Sequence, residues 1–136
     1  MFKISTFVLL TFLIISCQNQ KEANLDIEQL NQIESNQKTL QALKDAGETF
    51  KVSRDIFHWI YFKKRNDLNN FLKEAKSKGY QLVGINIIDD NLPYQLQIKI
   101  NDHISENIMH GQVIYLLDSA KRHNGDYDGW ETSVEK

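Results

Sequence analysis

The heptapeptide "IFHWIYF" (residues 56–62) carries the clearest structural signal in the chain, because it is aromatic and β-branched and contains no breaker. This composition is typical of a β-strand that is apolar on both faces. Trp59 and Tyr61 share one face and are either core residues or a surface for another protein. His58 lies within the same apolar strand and needs a hydrogen-bond partner if it is buried.

The segment that follows has apolar residues at helical spacing. The predicted helix has Asn66 as a candidate N-cap and ends before Gly79, a residue suited to the position after a helix end. Its buried stripe is formed by Leu68, Phe71, Leu72 and Ala75.

Two further strands come next. "YQLVGINII" (80–88) and residues 94–101 are predicted strands, and "DDNLP" (89–93) between them is a predicted turn. The third strand alternates, so one face is expected to be buried and the other wetter. The buried face is predicted to comprise Tyr94, Leu96, Ile98 and Ile100.

A second helix and a fourth strand complete the pattern. Ser105 is the predicted N-cap, with Ile104 packing against Met109 as a hydrophobic staple. The helix is expected to end in basic residues with Gly125 just after it. "DYDGWETSV" (126–134) is long enough for one strand, in which Tyr127 and Trp130 are expected to face opposite sides. Gly129 inside it predicts a bulge or a close backbone approach.

The order of these elements is strand, helix, strand, strand, helix, strand. Short connections and right-handed crossovers favour an α+β ferredoxin-like sandwich, in which two helices cover one face of a four-stranded antiparallel sheet. This domain is assigned to residues 47–136. A thin apolar stripe predicts an additional helix over residues 26–46, capped by Asp26 or Asn24; Gln37 interrupts that stripe, so the helix is expected to be docked or partly free.

The N-terminus predicts export. Residues 1–16 have the basic start and short apolar run of a signal peptide, and "IISC" (14–17) resembles a bacterial lipobox. Cys17 is therefore the predicted lipidation site, followed by a polar tether over residues 17–25. The chain is expected to be a membrane-anchored lipoprotein of the cell envelope, and Gln18 in place of Asp favours an outer membrane.

Composition and motifs offer little for catalysis. The net charge of −2 and the missing basic-aromatic signature argue against direct nucleic-acid binding. The four histidines match no metal-site spacing, and no phosphate loop or nucleophile elbow is present. The carboxylates of Asp126, Asp128 and Glu131 could suggest acid–base chemistry, but exposed charges beside a turn are the commoner outcome. We expect no catalytic residue, no metal and no cofactor.

"IFHWIYF", "LKEAKSKGYQL" and the terminal "GDYDGWET" closely resemble the RraB family, regulators that inhibit ribonuclease E. The similarity spans roughly residues 37–136 and implies a non-enzymatic ferredoxin-like domain that binds the non-catalytic part of ribonuclease E in cytoplasmic members. The motif residues are His58, Trp59, Tyr61, Phe62, Gly79, Tyr80, Tyr127, Asp128, Gly129 and Trp130. The acidic N-terminal segment of those members is replaced here by the export signal.

Three functions follow as hypotheses. The first is an RraB-like interaction domain tethered to the membrane, with an unknown protein partner. The second is inhibition of ribonuclease E-type RNA degradation, which requires that the chain is not exported. The third is an uncharacterised enzyme or metal-binding lipoprotein.

Overall fold

A computed structural model of the chain describes residues 25–136. The predicted signal peptide, Cys17 and nearly all of the predicted tether lie outside the described residues. The elements, in chain order, are α1 (Ile27–Asp45), β1 (Arg54–Phe62), α2 (Arg65–Ser77), β2 (Gln81–Ile87), β3 (Tyr94–Asp102), α3 (Glu106–Arg122) and β4 (Gly125–Thr132).

The four strands form one antiparallel sheet in the order β2-β3-β1-β4. Helices α2 and α3 pack on one face of this sheet, and α1 packs beside α3. The predicted ferredoxin-like α+β sandwich with an additional N-terminal helix is confirmed. The boundary assigned at residue 47 stays a prediction.

The core lies between the sheet and the helices. Every second residue of β1, from Arg54 to Phe62, is buried on this face, as its period of two requires. The main cluster combines β1 and β3 with the predicted stripes of α2 and α3. A second cluster under α1 comprises Leu40, Leu43, Ile56, Ile104 and Met109. The apolar contacts of α1 thus lie in its C-terminal half, whereas Leu30 near its start is 48% exposed. The start of the helix is held to α3 by polar contacts, in which Gln29 donates to Asp118 and Lys121 pairs with Glu28.

The helix ends confirm part of the predicted capping. Asp26 forms a capping box with Gln29, and the Ser105 side chain accepts a hydrogen bond from the backbone N–H of Ile108. Asn66 was a wrong choice of cap, because α2 begins at Arg65 after Lys64, which makes no side-chain capping bond.

Gly125 does not end α3. Asn124 takes the left-handed conformation there, with φ 54°, and Gly125 is already the first residue of β4. A Cβ atom on Gly125 would lie 2.3 Å from Cε1 of Phe62, so glycine is required by that close approach.

A β-bulge interrupts the pairing of β4 with β1. Trp59 pairs with Gly129, but the next residue, Ile60, pairs with Tyr127, which leaves Asp128 as the extra residue. Gly129 has φ 150°, so the predicted bulge is confirmed. The extra residue shifts the alternation of side chains along β4 by one position, so Tyr127 and Trp130 both face the helices. The prediction that they face opposite sides of the sheet is wrong.

None of the helices within residues 25–136 is both long and apolar enough to cross a bilayer.

Candidate functional site

No helix or strand within residues 25–136 covers the face of the sheet opposite the helices. Its middle is a row of half-buried aromatic side chains on β1: Phe57, Trp59 and Tyr61. The Tyr61 hydroxyl accepts a hydrogen bond from Nε2 of Gln95 at 2.8 Å, which fixes the phenol against the neighbouring strand. These three residues with their β3 and β4 neighbours are called the open face below.

An acidic border runs along the β4 side of the open face. Asp126 pairs with Tyr61 in the strand register, and Glu131 pairs with Phe57. Asp126, Asp128 and Glu131 form no ion pair with any residue in the described range 25–136. Partial burial, together with the negative charges of Glu28 and Asp128, raises the pKa of Asp126. The border therefore carries uncompensated negative charge.

The β3 side of the open face, near the start of β1, has its charges paired. Lys99 of β3 contacts Asp55 of β1 at 2.7 Å, and Asn101 donates to the other oxygen of the same carboxylate at 3.1 Å. The charges there are compensated within the sheet. The unpaired negative charge of the open face thus lies along its β4 side, from Glu131 beside Phe57 to Asp126 beside Tyr61.

A groove of about 370 Å³ opens between α1 and the β4 bulge. Its β-sheet wall includes both tryptophans of the chain, Trp59 and Trp130, together with Asp128 and Glu131. A Cβ atom placed on Gly129 would meet nothing within 4 Å, so the bulge leaves open space where a side chain would otherwise stand. The α1 wall comprises Gln32, Ser35, Asn36 and Thr39.

Asn36 is the deepest polar residue of this groove, with 2% of its surface exposed. Its Oδ1 accepts a hydrogen bond from Nε1 of Trp130 at 2.9 Å, which orients the amide. Its Nδ2 finds no acceptor among residues 25–136. A buried donor without a partner is unfavourable, and because Nδ2 is itself enclosed, this cost is borne inside the contact between α1 and β4 and is not offered to the groove.

His58 lies on the other side of β1, fully enclosed in the core. Its Nδ1 is 2.9 Å from the Tyr127 hydroxyl and its Nε2 is 3.2 Å from Oε1 of Gln112. Nε2 of Gln112 donates to Asp102 at 3.1 Å, so Oε1 faces the histidine. His58 Nε2 therefore carries the proton, and Nδ1 accepts from Tyr127. Burial lowers the pKa of His58 to about 4, so the ring is neutral at pH 7.

The motif residues consequently separate into two groups. His58, Tyr127, Phe62 and Tyr80 are buried and support the fold. Trp59, Tyr61, Asp128 and Gly129 meet at the open face, and Trp130 reaches the groove from the helix side. Gly79 follows the end of α2, where its φ of 95° allows the chain to leave the helix.

Sequence reasoning missed Asn36 and Gln112. Each occupies an apolar helix stripe: Asn36 stands three residues after Ile33 and four before Leu40, and Gln112 lies likewise between Met109 and Leu116. A polar residue at a core position of an amphipathic helix was the available signal. Gln37, which is predicted to interrupt the α1 stripe, lies outside it and is exposed.

No group of three or more His, Cys, Asp or Glu side chains within the described range is arranged to hold a metal ion.

The family model described as regulator of ribonuclease activity B, RraB, matches residues 33–132. The chain belongs to the RraB family. The matched range starts inside α1 and ends at the last residue of β4, so the residues of both groove walls except Gln32 belong to the RraB region. Among curated protein sequences, none matches the chain.

Proposed function

We propose that this RraB-family chain is a non-enzymatic regulatory domain that acts by binding another protein through its open face. The observation that carries this proposal is the row Phe57, Trp59 and Tyr61, which lies half-buried on a sheet face that no described element covers. Aromatic side chains that offer large contact area at little conformational cost are enriched in protein interfaces and their energetic hot spots.

Site-specific photo-cross-linking in living cells tests this surface. A benzoylphenylalanine at position 57 of the full chain should give discrete cross-linked products that disappear when Trp59→Ala is added. The same photoreactive residue at position 87 is the control, because Ile87 is 68% exposed on the edge strand β2, away from the aromatic row. Equal products from both positions, or none from position 57, would contradict the proposal.

We further propose that the domain is tethered to a membrane of the cell envelope through Cys17, with the outer membrane as destination. The support is the order of basic residue, apolar run, small residue and cysteine in residues 1–17. Two or three acyl chains on one residue would give firm anchoring, which a single chain does not. Palmitate labelling of the wild type and its loss in Cys17→Ala is the expected result; an unlabelled wild type would contradict the tether.

The second candidate function is inhibition of ribonuclease E-type RNA degradation through protein binding. The family match over residues 33–132 favours it, and it requires a chain that remains inside the cell. Fractionation, combined with a cleavage assay of purified ribonuclease E with the full chain added, separates the two functions. An envelope location excludes this one as a physiological role, whereas an unlabelled intracellular chain that slows cleavage supports it.

A further inference from the structure

We infer that strand β2 is the contact surface for a second copy of this chain, and that the two β2 strands pair antiparallel to join two four-stranded sheets into one. The proposed protein-binding function concerns the open face on β1, so this inference goes beyond it and uses another part of the domain. Three features of β2 carry it: a strand edge without charged residues, exposed aliphatic side chains, and opposite charges at the two strand ends.

Strand β2 lies at one edge of the sheet. Alternate backbone N–H and C=O groups along it point away from β3 and meet no other strand within residues 25–136. Edge strands that stay unpaired are commonly protected by charged residues or by proline, and "QLVGINI" (81–87) contains neither. Its bulge against β3 lies at Val83, and residues 84–87 continue in regular pairing. The outer edge of β2 is therefore available to a further strand.

The edge formed by β4 has the protection that β2 lacks. It carries Asp126, Asp128 and Glu131, and the bulge at Asp128 interrupts its regular geometry. Helix α1 also lies beside it, where Nε2 of Gln32 donates to the backbone oxygen of Tyr127 at 3.4 Å. Two copies that join through strand edges within the described part of the chain therefore do so by β2 with β2, which is a closed two-fold contact.

Exposed aliphatic side chains are concentrated on β2. Three of the eight large hydrophobic residues that are exposed within residues 25–136 belong to this one strand: Leu82 at 42%, Val83 at 43% and Ile87 at 68%. Leu82 pairs with Ile98, and Ile87 pairs with Tyr94. Both partners contact the main core cluster, so Leu82 and Ile87 lie on the helix side of the sheet at its outer margin. A second copy covers this apolar surface, which favours association.

Opposite charges at the two ends of β2 identify the occupant as a second copy. Lys76 and Lys78 precede the strand and Asp89 and Asp90 follow it, and none of these side chains forms an ion pair within residues 25–136. Antiparallel pairing centred near Gly84 brings the start of each β2 beside the end of the other. Each lysine end then meets an aspartate end, whereas parallel pairing would oppose like charges.

The test measures the protein mass of the full chain in dodecyl maltoside by light scattering, with micelles in large excess over chains. We expect a monomer–dimer equilibrium with a dissociation constant on the order of 10 µM, in keeping with a small interface. A chain that is still monomeric at about 100 µM would overturn the inference. A mass above that of two chains would also overturn it, because a two-fold contact through one edge is closed.

Charge reversal tests the antiparallel arrangement. Lys78→Glu and Asp89→Lys should each weaken the dimer about fivefold at low salt, because the two-fold axis makes each substitution act twice. The double variant Lys78→Glu/Asp89→Lys should return to within about twofold of the wild type, since opposite charges again face each other.

Lys51→Glu is the matched control for these variants. It makes the same change of charge in the loop whose Thr49 N–H donates to Glu135 beyond β4, at the other edge of the sheet, and should leave the dimer unchanged. Equal weakening by Lys51→Glu and Lys78→Glu, or no recovery in the double variant, would overturn the inference.

The apolar contribution is tested with two isoleucines of similar exposure. Ile87 is 68% exposed on β2 and Ile27 is 72% exposed at the start of α1. Ile87→Ser should weaken the dimer about tenfold, and Ile27→Ser should not weaken it. Equal effects of the two substitutions would overturn the assignment of β2.

Photo-cross-linking distinguishes a second copy from a strand of another protein. Benzoylphenylalanine at position 87 should give a product of twice the mass of the chain, which Trp59→Ala does not remove. A product with a different protein would overturn the inference in favour of a foreign strand. Products from position 57 have a different mass and test the open face alone, so the dimer and the proposed function can each fail without the other.

Discussion

The Nδ1 atom of His58 and the hydroxyl oxygen of Tyr127 lie 2.9 Å apart in the core, on two adjacent strands that meet from distant parts of the chain. His58 is fully buried and Tyr127 is 2% exposed, so neither polar atom can bond to water and each provides the other with a hydrogen-bond partner. Their contact explains two residues of the family motif as structural elements.

Tyr127→Phe should therefore destabilise the protein. The substitution removes the hydroxyl and leaves His58 Nδ1 without a donor, which is expected to lower the free energy of unfolding by about 1–3 kcal/mol. Urea denaturation measures the change. Tyr61→Phe is the control, because it removes a hydroxyl from the half-buried open face, where water can replace it. Equal losses for both variants would contradict the role of the His58–Tyr127 bond.

Stability should also fall as pH decreases below about 6.5. The pKa of His58 is about 4 in the folded chain against 6.5 for an unperturbed histidine. The unfolded chain therefore binds more protons between these values, and stability is lost as pH falls through that window, by an amount on the order of 3 kcal/mol. Below pH 4.5 the paired carboxylates of Glu48 and Glu74, whose pKa values are lowered to about 2, add a further loss.

His58→Gln isolates the histidine contribution. The variant should lose most of the slope of unfolding free energy between pH 6.5 and 4.5, whatever its absolute stability. His103→Gln changes an exposed histidine and should retain the slope. If the His58 variant keeps the slope of the wild type, the titration belongs to another group.

Glu48 and Arg54 form a buried ion pair, with side chains 0% and 4% exposed. Nη2 of Arg54 donates to Oε1 of Glu48 at 2.8 Å, and the Glu48 carboxylate also accepts from the backbone N–H groups of Phe50 and Glu135. Arg54→Met should lower the free energy of unfolding by about 3–5 kcal/mol, because it leaves an uncompensated charge in the interior.

The exposed pair Asp55–Lys99 provides the comparison for that measurement. Lys99→Met should change the free energy of unfolding by less than about 1 kcal/mol. The side chains of Lys99 and Asp55 are 32% and 39% exposed, so solvent screens their charges. Thermal denaturation of both variants at one pH measures the two losses of stability. A similar loss for the two would show that Glu48 is hydrated when Arg54 is removed.

Gly125→Ala should destabilise the sheet edge. The added methyl group would lie 2.3 Å from Cε1 of Phe62, and that ring is fully buried and cannot withdraw. Overpacking of this kind costs about 1–3 kcal/mol. Gly84→Ala is the matched control, since a Cβ there meets nothing within 4 Å and its melting temperature should hardly move.

Trp130→Ala should destabilise the protein by about 3 kcal/mol, near the lower end for removal of a large aromatic side chain. The indole packs against both core clusters and donates to Asn36, so the variant should also loosen α1. Hydrogen exchange of the α1 amides measures that second effect. An unchanged melting temperature would instead place Trp130 on a partner surface only.

Periodicity in the sequence was enough to predict the strands, the helices and their topology. The side-chain period of two in β1 and β3 and the helical period in α2 and α3 are local properties, and each survives in the structure. The facing of Trp130 was not predictable in this way, because a bulge is defined by the partner strand, and its position sets which side every later residue faces.

The groove could not be predicted from the sequence for a related reason. Its walls come from α1, from β1 and from the bulge of β4, and the contact of Asn36 with Trp130 joins residues 94 positions apart. Local patterns do not specify such a pairing. Gly125 likewise had two possible reasons to be glycine, and only the position of the Phe62 ring decides between them.

The one-residue bulge at Asp128 makes the end of β4 unusually sensitive to insertion and deletion. Removing a single residue there would exchange inside and outside for everything that follows, sending Trp130 to solvent and Glu131 towards the helices. A chain of this family that lacks the extra residue would have to rebuild both its α1 contact and its acidic border. The number of residues in the β4 bulge is therefore as strict a requirement of the fold as the identity of those residues.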